Sequence, residues 1–155
     1  MNWFKTAAIG FSSALIVYIL ARLAIFTSIL PLDKLPAEII LEDFGLNYPL
    51  LAEICVFVAG IVGALLLAWI FENNTTVGKG IIFGGLIWIM TMLIGSPLAG
   101  WGLFALTGDH GFLLAAYILV AHLIYGGLTG WLIEKLIYFE SGVADEIKCH
   151  AQQEG

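Results

Sequence analysis

The sequence predicts an all-α integral membrane protein in which four transmembrane helices form one bundle. Composition is the first reason, because 61% of the 155 residues are hydrophobic, only 12% are charged, and the mean hydropathy is +0.99. Soluble domains carry about 25% charged residues. The second reason is that the apolar residues form four runs, each long enough to cross a hydrocarbon core of about 30 Å. The net charge of -6 argues against nucleic acid as a partner.

The number of spans and the placement of lysines set the topology. An even number of spans puts both termini on one side of the membrane, and four lysines lie on that side, against Lys34 alone in the opposite loops. The positive-inside rule therefore predicts cytoplasmic N and C termini. The transmembrane domain covers 1–139, and a short polar cytoplasmic tail covers 140–155. The predicted spans are Trp3 to Leu30, Tyr48 to Phe71, Gly80 to Leu98 and Phe112 to Tyr138.

The first outer loop predicts a short interfacial helix. Pro36 suits the first turn of a helix, and Gly45 suits the position that follows its last turn. We expect the acidic side chains of this segment to face water and the apolar ones to face the bilayer or the bundle. The acidic residues are Glu38, Glu42 and Asp43, and the apolar ones are Leu35, Ile39 and Phe44.

Small residues at helical spacing predict close helix packing in three of the spans. In the fourth span they share one face with His122, whereas bulky residues such as Trp131 lie on the other face and should meet lipid. The predicted packing residues are Gly60 and Ala64, Gly80 and Gly84, and Gly126 and Gly130. The second and fourth spans also resemble each other, since GIVGALLLAWIFE and GGLTGWLIEKL both place glycines ahead of a tryptophan and a glutamate. This similarity suggests two related helical hairpins about a pseudo-twofold axis along the membrane normal.

Proline predicts a hinge at the outer end of the third span. Pro97 removes a backbone donor, so the helix should kink or stop there. The segment that follows, LAGWGLFALTGDHG, is apolar and rich in glycine, which is typical of a re-entrant or interfacial segment that rests on protein.

Three ionisable residues lie inside the outer halves of the spans and form the candidate site. Arg22 and Glu53 should meet, because consecutive antiparallel helices are usually neighbours, and Tyr18 lies one turn from Arg22. His122 lies in the fourth span. One interpretation is a polar cavity that holds a proton, an ion or a small ligand. The other is a structural ion pair, with His122 bonded to a neighbouring helix.

The remaining candidates for chemistry have structural explanations. Haem ligation by His122 with Met92 is geometrically conceivable, but methionine at helical spacing usually serves packing, so we expect no cofactor. Asp109 and His110 are explained by a helix cap and an exposed imidazole. No metal site is expected, because Cys149 and His150 lack further ligands and Cys55 is most simply a buried, inert thiol.

Two stretches carry a resemblance to a known family. SPLAGWGLF, Ser96 to Phe104, and HLIYGGLTG, His122 to Gly130, resemble an uncharacterised family of small four-helix prokaryotic integral membrane proteins. The resemblance implies the same four-helix topology and a location in the prokaryotic inner membrane. It implies no activity.

The sequence contains no complete catalytic set, so we expect a protein that is not an enzyme. The favoured function is an accessory or scaffolding subunit of a larger membrane complex, or a homo-oligomer built by small-residue packing. The alternative is a small oligomeric transporter or channel in which Arg22, Glu53 and His122 line a polar site and Pro97 gates it. A redox or lipid-acting membrane enzyme is a third class.

Overall fold

The computed structural model describes residues 2–29, 33–43, 45–46, 48–98, 100–107 and 111–138. All regular structure within these ranges is helical, and four of the helices are long and apolar enough to cross a membrane. The predicted all-α, four-helix architecture is therefore confirmed. The predictions for Asp109, His110, Cys149, His150 and the tail concern residues outside the described part of the chain.

Helix α1, Trp3–Phe26, is the first span. Asn2 caps it by accepting a hydrogen bond from the backbone nitrogen of Lys5 at 3.2 Å. The helix is apolar along most of its length and ends four residues before the predicted boundary at Leu30.

Helix α2, Pro36–Asp43, lies in the loop where the sequence predicts a short helix. Glu38 supports its first turn by accepting from the backbone nitrogen of Leu35 at 2.9 Å. Leu35 is only 5% exposed, as expected for the apolar face. The expectation that Glu38 faces water is wrong, because its carboxylate turns inward to the guanidinium of Arg22.

Helix α3, Pro49–Phe71, is the second span, and the short helical turn Glu72–Asn74 leads from it into the third. Below, the end of the bundle that contains this turn is called the turn end, and the opposite end is called the α2 end. Cys55 is exposed on α3 and not buried, because its side chain lies on the face that is turned away from the bundle.

The third span, α4, runs over Val77–Leu98 and changes its hydrogen-bond pattern near Pro97. It is an α-helix over Val77–Met90, a π-helix over Thr91–Gly95, and an α-helix again over Ser96–Leu98. A proline ring clashes with the carbonyl four residues earlier in a regular α-helix, and the wider π turn relieves that clash. The predicted irregularity thus lies one turn before Pro97, and the helix ends directly after it.

The segment after α4 folds back against the helices. Ser96 donates to the carbonyl of Gly102 at 2.6 Å and accepts from the backbone nitrogen of Ala105 at 2.8 Å. Ala105 is fully buried, in a cluster that includes Met92 and Leu114. This apolar segment therefore rests on protein.

The fourth span, α5, covers Gly111–Ile133 and continues as a π-helix over Glu134–Tyr138. It packs along α4, and α1 packs along both α3 and α5. Helices α3 and α4 contact each other only slightly, although they are consecutive. The order across the bundle is therefore α3, α1, α5, α4, with an apolar cluster of all four helices towards the turn end, around Leu67, Phe83 and Ile133.

Candidate functional site

Arg22 is the centre of a polar network at the α2 end of the bundle. Its Nη2 lies 2.6 Å from Glu38 Oε1 and 3.4 Å from Glu53 Oε1, and its Nε donates to the hydroxyl of Tyr18 at 3.1 Å. The predicted contact between Arg22 and Glu53 is thus present. Glu38 is a second partner that the sequence did not suggest.

Tyr18 connects the cation to the second carboxylate. Its hydroxyl accepts from Arg22 Nε and donates to Glu53 Oε1 at 2.6 Å, and the guanidinium carbon of Arg22 lies 5.3 Å from the centre of its ring. The tyrosine therefore receives one charge-assisted hydrogen bond and supplies another. In this arrangement each of the four side chains, which come from α1, α2 and α3, bonds to at least one other member of the network.

A polar cavity of about 230 Å³ lies beside this network. Its walls contain charges of both signs, and one further ion pair joins Lys34 Nζ to Glu42 Oε2 at 2.5 Å. The hydrogen bond to Glu42 raises the pKa of Lys34. The polar side chains along the walls are Arg22, Asp33, Lys34, Glu38, Glu42 and Tyr48.

His122 lies away from this network, in the wall of a second cavity of about 230 Å³. This cavity is bounded by α1, α3, α4 and α5, and its walls are mainly aliphatic, with Val17, Val56 and Ile87 as the larger members. Neither Arg22 nor Glu53 lines it. The structure therefore does not bring the three predicted ionisable residues together.

The hydrogen bonds of His122 and Tyr125 are directed to main-chain carbonyls. His122 Nδ1 lies 2.7 Å from the carbonyl oxygen of Ile118, and Tyr125 donates to the carbonyl oxygen of Gly60 at 2.5 Å. Tyr125 is 9% exposed and joins α5 to α3. Sequence reasoning missed this residue, although its position three residues after His122 places it on the same helix face.

All of the predicted small packing residues are used between helices of this chain. A Cβ added to Gly10 would lie 2.6 Å from the carbonyl oxygen of Gly60 and 2.7 Å from the Cβ of Ala64. The approach of α4 to α5 is closer still, because a Cβ on Gly84 would overlap the carbonyl oxygen of His122, and one on Gly126 that of Gly80. Gly130 similarly lies against Gly80.

The two hairpins share one packing register. Gly10 faces the carbonyl of Gly60 and then Ala64, and Gly84 faces the carbonyl of His122 and then Gly126, so each glycine meets one residue and the residue four positions later. The same alignment pairs Trp69 with Trp131, Glu72 with Glu134, and Lys5 with Lys79. This shared register supports the predicted relation between the hairpins.

The helix starts of the two hairpins are also capped alike. Asn2 accepts from the backbone nitrogen of Lys5, and Thr76 accepts from that of Lys79 at 3.4 Å. In the second hairpin, Glu134 on α5 also accepts from the backbone nitrogen of Val77 at 3.3 Å, which ties the end of α5 to the beginning of α4.

The described residues contain no group of three or more histidine, cysteine or acidic side chains placed to hold a metal ion. Met92 is 1% exposed and packs with Ala105 and Leu114, whereas His122 lines the second cavity. The packing therefore gives no support to joint haem ligation by these two residues.

No family model, curated protein or solved structure matches the chain. The resemblance carried by Ser96 to Phe104 and His122 to Gly130 stays a prediction.

Proposed function

We propose that the protein is a non-enzymatic integral membrane protein that acts by association within the membrane. It is either an accessory or scaffolding subunit of a larger complex or a homo-oligomer, and we place it in the prokaryotic inner membrane. The observation that carries the proposal is the order of the helices. Because α3 and α4 pack on each other only slightly, each of these two edge helices has a single closely packed neighbour in this chain, α1 for α3 and α5 for α4.

The burial of the spans is in keeping with this proposal. Between 22% and 28% of the residues in each span are buried inside the chain. The other residues of these windows are half-buried or exposed, so each span keeps surface that can contact lipid or another protein. Cys55 and Ile89 are exposed on the two edge helices.

The polar network also favours a structural role over transport. Each of its members already has a partner of complementary charge or hydrogen-bonding capacity. The alternative, a small oligomeric transporter or channel, needs a path that joins Arg22 and Glu53 to His122. Its assay is ion and proton flux in vesicles, with Glu53→Gln and His122→Ala as the variants.

Gentle extraction from the native membrane, followed by native mass spectrometry, tests association directly. We expect either a defined set of larger subunits or a homo-oligomer of fixed stoichiometry. A chain that migrates alone, at every protein concentration, contradicts the proposal.

Cysteine crosslinking in the membrane tests which helices form the contact. In a Cys149→Ser background, the native Cys55 reports on the α3 edge, and Ile89→Cys combined with Cys55→Ser reports on the α4 edge. The matched control is Cys55→Ser with Leu20→Cys, since Leu20 is 47% exposed on α1, in the middle of the row. We expect crosslinks at an edge and none at Leu20→Cys.

A further inference from the structure

The cavity around His122 has the size of a small ring compound. Its volume of about 230 Å³ exceeds that of an engineered apolar cavity of about 150 Å³ that binds benzene. Small and branched side chains form most of its wall. A six-membered ring with a short substituent therefore fits it.

The cavity lies within the hydrocarbon layer and is accessible from the side. His122 is at the midpoint of α5, which covers Gly111–Ile133. Ala59 lines the cavity and is also exposed, so the cavity communicates with the surroundings of the bundle. It lies where α3 and α4 are apart. A ligand would thus enter from the lipid and not from water.

The polar atoms of the cavity wall define which ligand suits it. A carbonyl oxygen only accepts, so His122 Nδ1 must donate to Ile118, and Nε2 of the neutral ring carries a lone pair. Nε2 has no hydrogen-bond partner among the described residues. Tyr125 gives its single proton to Gly60. The side chains of this wall can therefore accept a further hydrogen bond but cannot donate one.

An unsatisfied acceptor beside an apolar cavity is unfavourable, and a ligand that brings a donor removes that penalty. We infer that this cavity binds a membrane-dissolved ring compound that carries a hydroxyl group, such as a phenol, with the hydroxyl donating to Nε2 of His122. The corresponding methyl ether or ketone, which has only an acceptor, leaves Nε2 unsatisfied. The argument for this site does not use the proposed association.

A matched pair of probes tests the inference on the full chain in phosphatidylcholine nanodiscs. The probes are para-ethylphenol and para-ethylanisole, with concentrations expressed per lipid so that partitioning does not enter the comparison. Nuclear magnetic resonance of heavy-nitrogen-labelled histidine reports on Nε2, and His122→Phe assigns its signal. We expect the phenol, and not the ether, to shift this resonance, and to bind about tenfold more tightly, as one hydrogen bond predicts.

Variants distinguish the contribution of the hydrogen bond to binding from the contribution of the cavity shape. His122→Phe keeps a ring but removes the acceptor, so saturation-transfer competition should show equal binding of the two probes. Ala121→Leu fills the cavity and should abolish binding of both. Ala116→Leu adds the same volume to the same helix at a position that does not line the cavity, and should bind as the wild type does.

Three results would overturn the inference. One is binding of neither probe to the wild type. The second is equal binding of phenol and ether to the wild type. The third is a preference for the phenol that persists in His122→Phe. Each leaves the oligomeric state untouched, so failure here is distinguishable from failure of the proposed association.

Discussion

The two hairpins of this protein are packed in the same register but are secured differently at the α2 end. Arg22 lies twelve positions after Gly10, and Ser96 lies twelve positions after Gly84. Each residue holds the segment that follows its helix, Arg22 through Glu38 of α2 and Ser96 through Gly102 and Ala105.

The two anchors differ in charge. In the first hairpin the anchor is a charged network, and in the second it is a single hydroxyl that is 1% exposed. Because a neutral residue performs the same structural task in the second hairpin, the charges of the first need no ligand to explain them. His122 Nε2, by contrast, has no hydrogen-bond partner among the described residues and belongs to a mainly apolar cavity.

The largest expected effect comes from the closest helix contact. Gly126→Ala places a methyl group on the carbonyl of Gly80, so α4 and α5 must separate, and we expect the free energy of unfolding to fall by about 3 kcal/mol. Titration with a denaturing detergent measures this. Gly10→Ala should destabilise less, because the contact at Gly60 is less close.

Gly78→Ala is the matched control for these glycine substitutions. No atom lies within 4 Å of a Cβ at Gly78, which is in the first turn of α4. Alanine favours the helix by up to about 1 kcal/mol, so this variant should be at least as stable as the wild type. Equal stability of Gly126→Ala and Gly78→Ala would mean that the close approach is not a constraint.

Removal of the charged anchor should have the next largest effect. Arg22→Met leaves Glu38 and Glu53 without their cation, and we expect a loss of about 2 kcal/mol, below the range for fully buried pairs because the guanidinium side chain is 37% exposed. The same detergent titration measures it. A triple variant, Arg22→Met with Glu38→Gln and Glu53→Gln, should recover part of the loss. Without such recovery, charge imbalance is not the cause.

Removal of the neutral anchor, Ser96, should lower the free energy of unfolding by less. Ser96→Ala deprives the backbone nitrogen of Ala105 of its acceptor, and we expect a loss of about 1 kcal/mol. Hydrogen exchange at Ala105 should quicken while exchange within α1 stays as it is. Ser12→Ala is the control, since that exposed hydroxyl bonds only within its own helix. Unchanged exchange at Ala105 would contradict the anchoring role.

The smallest effect concerns the exposed pair of Lys34 and Glu42. Because folding raises the pKa of Lys34, the charged form stabilises the fold at neutral pH, and this contribution disappears as the pH rises through the folded-state pKa. We expect Lys34→Met to be slightly less stable at neutral pH. The two proteins should converge well above about pH 10.4, the usual lysine value. A difference that grows at high pH would refute this assignment.

Much of the fold follows from the positions of apolar and small residues along the sequence. Apolar length fixed the four helices, and small-residue spacing identified the faces that pack, because only glycine or alanine allows two backbones to approach so closely. The order of the helices did not follow, since spacing alone does not say which partner a small-residue face will meet. The slight contact between the consecutive helices α3 and α4 is contrary to the usual adjacency.

Only the part of the candidate site that lies between the two helices of one hairpin could be predicted. Arg22 and Glu53 face each other because α1 and α3 are antiparallel neighbours, and that was foreseen. Glu38 was misplaced because its orientation depends on how α2 docks. The separation of His122 from the charged residues and the role of Tyr125 depend on the tertiary gap between α3 and α4, which no local signal encodes.

The position of the Arg22 network also bears on the thickness of the membrane that suits this protein. From Lys5 to Arg22, α1 rises about 26 Å at about 1.5 Å per residue. That distance is shorter than a typical hydrocarbon core of about 30 Å, so in a bilayer of ordinary thickness the network lies inside the hydrocarbon layer unless the bilayer thins around α1 or water reaches it. Hydrophobic mismatch should therefore favour this protein in short-chain lipids and disfavour it in thick bilayers.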